Sequence, residues 1–134
     1  MSREPTEETL ARAQQVQAEA AACGFDWPEI EGVLAKVDEE VAEIRAALAA
    51  GDRTAAAEEL GDLLLVSAHL ARWLDADAQA VLGGALARFE VRWQMVQRLA
   101  EERGLDVKGC ALATLDALWD DAKTLTRQGP RQGG

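Results

Sequence analysis

Residues 36–65 read KVDEEVAEIRAALAAGDRTAAAEELGDLLL, two amphipathic helical segments around a short break. The first continues a stripe that begins upstream: Ile30, Leu34, Val37, Val41, Ile44 and Leu48 recur at alternating steps of four and three. That period is the seam of a helix packed against another helix. In the break, Gly51 suits a C-cap and Asp52 or Thr54 the next N-cap. The second helix spans about residues 54–74. From Leu60 to Leu74 only Gly61, Asp62, Ser67, His69 and Arg72 interrupt its apolar and Ala residues. A helix apolar nearly all round is covered on more than one side, which in so small a chain calls for a homo-oligomer.

A short turn makes the two helices antiparallel neighbours. Glu40 and Glu43, three apart, share one face of the first; Glu59 and Asp62 repeat the spacing on the second. Residues 40–43 and 59–62 therefore approach each other at similar heights. Carboxylates that close repel and raise each other's pKa, and burying one without a partner is costly. A hard divalent cation with oxygen ligands, Mg²⁺ or Mn²⁺, resolves the conflict and leaves coordination positions for phosphate. The plainer reading, a solvated face, stays open for Glu40 and Glu43, with Lys36 one turn earlier pairing Glu40. Asp62 resists it, because Gly61-Asp62 precedes LLLV in the most apolar helix.

Working outward, 134 residues with no Tyr, three Pro and abundant Ala and Leu predict an all-α antiparallel bundle of four to five helices. We expect a single domain over residues 1–125 and a disordered tail over 126–134. A frayed start over 1–6 precedes a helix at about 7–22 that Gly24 ends. Pro28 suits the first position of the helix carrying Glu40. A fourth helix spans about 77–103, with Val81, Leu82, Leu86, Phe89, Trp93, Val96 and Leu99 inward and Gly83-Gly84 as a place for a bend or a close contact. A loop containing GLDVKG leads to a last helix at about 112–125.

The formal net charge of −10 argues against nucleic-acid and membrane-surface partners, which require clustered Lys and Arg. Cys23 and Cys110 make no CxxC motif. A polar, acidic start and the lack of a long apolar run predict a cytoplasmic protein. His69, the sole histidine, does not follow a Glu by three, so the Glu-x-x-His pattern of di-iron bundles fails; a packed, hydrogen-bonded role is expected. Ser2 and Ser67, the only serines, make no nucleophile elbow, and no GxxxxGK[ST] loop occurs.

Four segments carry a resemblance: residues 11–44 (ARAQQVQAEAAACGFDWPEIEGVLAKVDEEVAEI), EELGDLLL at 58–65, RFEVRW at 88–93 and LDALWDDAK at 115–123. In this order they resemble the MazG-type nucleoside triphosphate pyrophosphohydrolases, over about Leu10 to Lys123. Members often carry two such domains in tandem, and this chain resembles the second. The resemblance implies an all-α fold that dimerises, and hydrolysis of NTPs or dNTPs to monophosphate and pyrophosphate. It makes Glu40, Glu43, Glu59 and Asp62 the Mg²⁺ ligands, with Mn²⁺ as a substitute. Glu39 or Glu58 then orients or deprotonates the attacking water. Arg88, Phe89, Arg92 and Trp93 match the family's KFxRRF segment near the triphosphate. Arg for Lys at 88 and Val for Arg at 91 depart from it, which puts one phosphate contact in doubt. Trp119 and Lys123 match a nucleotide-binding pair.

The residues alone keep plainer roles in view: Phe89 and Trp93 as core, Arg88 and Arg92 as surface partners of Glu. Trp27 either staples a helix start or lines a base pocket, and Lys36 either pairs Glu40 or meets substrate. Two rival functions stand beside the broad NTP pyrophosphohydrolase. One is a narrow dUTP- or modified-dNTP pyrophosphatase for housecleaning; the other is a catalytically silent dimerisation module.

Overall fold

A computed structural model describes residues 9–127. Among these the chain is helical throughout, with no strand. The elements are α1 (Thr9–Ala22), α2 (Ile30–Ala49), α3 (Arg53–Trp73), α4 (Ala78–Glu102) and α5 (Leu112–Thr126). The frayed start expected at 1–6 and most of the expected tail lie outside the described residues. Thr126 and Arg127 lie inside, as the last residue of α5 and its C-cap. Two compact units form, the first ending at Leu82 and the second beginning at Gly83, inside α4.

In the first unit α2 and α1 both pack on α3. The turn between α2 and α3 rests on two residues. Gly51 sits at φ +73°, a region costly for side chains with a Cβ. Asp52 is the N-cap, its carboxylate accepting from the Ala55 amide at 3.0 Å. At the other end α2 starts at Ile30 with Glu29 as N-cap. Pro28 therefore precedes the helix instead of occupying its first turn. Gln14 of α1 clasps the turn after α3: its amide donates to the Ala76 carbonyl at 2.8 Å, and its oxygen accepts from the Ala78 amide at 2.7 Å. A small cluster of Ala68, Ala71 and Ala78, with Leu10 and Ala13 against it, backs this clasp.

The expected seam of α2 is only partly inward. Leu34, Val41 and Leu48, seven apart, lie on the exposed side, while Val33 and Glu40 are the buried residues of the helix. On α3, Leu60, Leu64 and Leu65 are likewise exposed. The strong apolar period thus exceeds what one chain covers.

In the second unit Val96, Leu99 and Ala100 of α4 form a core with Leu118 and Ala122 of α5. GLDVKG holds a single 3₁₀ turn, Val107–Gly109, capped by Asp106. Gly83 and Gly84 leave α4 unbroken. Val81, Leu82, Leu86, Phe89 and Trp93, read as inward, are exposed; of that stripe only Val96 and Leu99 are buried. Among the described residues no helix is long and apolar enough to cross a membrane.

Candidate active site

The α2–α3 pairing delivers three acids to one spot. Glu40, Glu43 and Glu59 each place a carboxylate oxygen within 4.8 Å of the others. Glu40 is 3% exposed, an unusual state for a carboxylate. Its Oε1 takes the Lys36 ammonium at 3.2 Å, while Oε2 is buried with no donor. Oε2 of Glu59 is orphaned in the same way. Lys36 also reaches Glu39 at 3.3 Å, and its two acid contacts, Glu40 before Glu39, raise its pKa.

The crowding has an electrostatic consequence. Contact with Glu43, then loss of water, then contact with Glu40 push the Glu59 carboxyl up to about 7. A proton is thus the stand-in counter-charge when nothing better is present. Buried carboxylate oxygens without donors, converging from two helices, fit a hard divalent cation. Asp62 lies one turn past Glu59, exposed and outside the group of three. Its place in an apolar helix had pointed to a buried role; that side of α3 is open in this chain. Glu39 and Glu58 are exposed.

A second polar cluster was not legible as such. Asp26, in the turn before α2, accepts from His69 Nε2 at 2.7 Å, the Trp27 amide at 2.8 Å, Trp73 Nε1 at 3.4 Å and the Arg72 guanidinium. Burial raises its pKa, but the bonds from His69, Trp27 and Trp73 and the charge of Arg72 outweigh this and lower it. His69 is 3% exposed, packed and hydrogen-bonded as expected. The missed signal was the partner it demanded: a histidine buried among apolar residues requires a polar group nearby. Trp27 is half-buried, its ring 5.3 Å from that of His69.

The other candidates belong to the second unit. Phe89, Trp93, Val96, Leu115, Asp116 and Trp119 line an open cleft of about 300 Å³, with the Phe89 and Trp119 rings 5.3 Å apart. Phe89 and Trp93 therefore line a surface cleft and are not core. Arg88 is exposed, Arg92 and Lys123 half-exposed. Among the described residues none of the three cations is ion-paired.

Comparison with known proteins bears on these acids directly. Residues 29–96, half of the chain, match the MazG nucleotide pyrophosphohydrolase domain. The chain belongs to the MazG family. This MazG chain is 39% identical over 116 residues to the Escherichia coli (strain K12) nucleoside triphosphate pyrophosphohydrolase, covering 85% of itself and 44% of that relative. It is 34% identical over 119 residues to the Thermotoga maritima nucleoside triphosphate pyrophosphohydrolase/pyrophosphatase MazG, covering 89% of itself and 46% of that relative. It thus spans about half the length of these relatives. The MazG match includes Glu39, Glu40, Glu43, Glu58, Glu59, Asp62, Arg88 and Arg92, and ends before Trp119 and Lys123.

Proposed function

We propose that this chain hydrolyses nucleoside triphosphates to the monophosphate and pyrophosphate in the cytoplasm, as a Mg²⁺-dependent homodimer with one domain over residues 1–125. The observation that carries the reading is the convergence of Glu40, Glu43 and Glu59, two of them with buried oxygens lacking any donor. The names of the Escherichia coli and Thermotoga maritima relatives support the substrate class.

Glu40, Glu43 and Glu59 hold the divalent ion, with Asp62, three residues further along α3, completing the set; Mn²⁺ substitutes for Mg²⁺. When bound, the ion supplies charge neutralisation for the triphosphate and a more acidic water. Glu39 or Glu58 orients a water for in-line attack on the α-phosphorus and takes its proton. The bond from the α-phosphorus to the bridging oxygen breaks, and pyrophosphate leaves. In the first unit Lys36 beside the acids is suited to phosphate charge and Trp27 offers a face to a base; in the second, Arg88, Arg92 and Lys123 are cations suited to phosphate and Trp119 offers an aromatic face. Phosphoryl transfer needs mostly such positioning and neutralisation. An acidic protein can therefore bind an anion, because its acids first collect cations.

The test is pyrophosphate release from a panel of NTPs and dNTPs with Mg²⁺, with Mn²⁺ and with chelator. Metal-dependent release that Glu43→Ala abolishes at unchanged helicity is expected. Absence of release from every nucleotide, with thermal stability indifferent to Mg²⁺, would reduce the chain to a silent helical module.

A further inference from the structure

Three of the four donors around Asp26 come from α3 or lean on it, although Asp26 itself precedes α2. Its carboxylate takes His69 Nε2 at 2.7 Å, Trp73 Nε1 at 3.4 Å and the Arg72 guanidinium. The next residue, Trp27, wedges its ring between the two helices. A Cβ on Gly32 of α2 would come within 2.6 Å of Trp27 Cδ1, and the same ring lies 5.3 Å from His69. Gly32 and His69 are thereby held level across one indole.

From that level the distances to the acids match. Glu40 and Glu43 lie eight and eleven residues along α2 from Gly32, and Glu59 lies ten residues back along α3 from His69. At about 1.5 Å per residue these are about 12, 16 and 15 Å, so Glu59 falls between the two acids of α2. The turn at Gly51 and Asp52 fixes the opposite end. By itself it leaves α2 and α3 free to splay; the Asp26 cluster closes the far end, with the acids between the two fixed points. Apolar contacts alone tolerate sliding, whereas a part-buried carboxylate and a buried imidazole lose their partners when displaced. Metal ligation tolerates about 0.2 Å, far less than a one-residue slip.

We propose that Asp26 and His69 are positioning residues for the acidic site, fixing α2 against α3 so that Glu40 and Glu43 meet Glu59. The inference rests on reading those acids as divalent-cation ligands. It assigns Asp26 and His69 no contact with substrate.

The experiment measures Mn²⁺ affinity by the paramagnetic signal of free ion, with helicity by circular dichroism and, where turnover is present, the apparent KM for metal and kcat. Asp26→Asn and His69→Leu are expected to weaken Mn²⁺ binding about tenfold or more at temperatures where helicity equals that of the unmodified chain. The KM for metal rises more than kcat falls. His69→Gln, whose amide nitrogen can occupy the place of Nε2, is expected to restore most of the affinity. Unchanged affinity in Asp26→Asn, or a His69→Gln no better than His69→Leu, overturns the proposal. Where Asp26→Asn does not fold, Gly32→Ala decides: it keeps the Asp26 and His69 side chains and displaces the Trp27 ring that levels Gly32 with His69, so weakened Mn²⁺ binding supports the proposal and unchanged binding overturns it. An unmodified chain that binds no more Mn²⁺ than Glu43→Ala defeats the ligand reading itself, and this inference with it.

Discussion

At the scale of single residues, Glu59 concentrates the conflict between stability and binding. Its folded value of about 7 exceeds the ordinary 4.5, so between those values the folded chain holds a proton that the unfolded chain releases. Its contribution to stability is complete below the unfolded value and is lost as pH rises through about 7. Without divalent ions, the melting temperature of Glu59→Gln should therefore exceed that of the unmodified chain at pH about 8 and match it more closely at pH about 5. If the three acids bind Mg²⁺ as proposed, Mg²⁺ should raise the melting temperature of the unmodified chain and not that of the variant. Thermal scans at two pH values, with metal and with chelator, check both; a Gln variant less stable than the parent at high pH would contradict the assignment. The acids were legible because spacing on two helices joined by a short turn is simple geometry. Asp62 was less so, since no spacing rule reports which side of α3 a single chain leaves open. The Asp26 cluster was illegible because His69, Arg72 and Trp73 lie 43 to 47 positions from Asp26.

At the scale of elements, helix ends were readable wherever a residue acts through its own backbone. Gly51 and Asp52 punctuate α2 and α3 as their chemistry requires, and Asp52→Ala should cost about 1 kcal/mol of stability, measured by urea unfolding. Pro28 misled by two residues, because the turn is shaped by what Asp26 binds, which no local rule contains. Apolar stripes revealed where each helix has a face but not what covers it. On α2 the residues seven apart, Leu34, Val41 and Leu48, look outward, and the helix seats Glu40 and Val33 inward instead. Periodicity marks an apolar face without naming its cover, and a single chain covers only part of this one.

At the scale of the molecule, that shortfall is a prediction about association. The open leucines of α2 and α3 form the kind of apolar surface that a second copy covers. Sedimentation should give twice the 14.4 kDa of the chain, and Leu64→Glu should shift it toward the single-chain mass. A parent chain that sediments alone at micromolar concentration would refute this. Solidity is also unevenly shared. Helix α1 has no fully buried residue, and Gln14, with Leu10 and Ala13, ties it down. Its amides should exchange with deuterium well before those of α3, and Gln14→Ala should widen the gap. Among the described residues, melting would then begin at this outer helix, and the loosened Ala76–Ala78 stretch would open early to a protease.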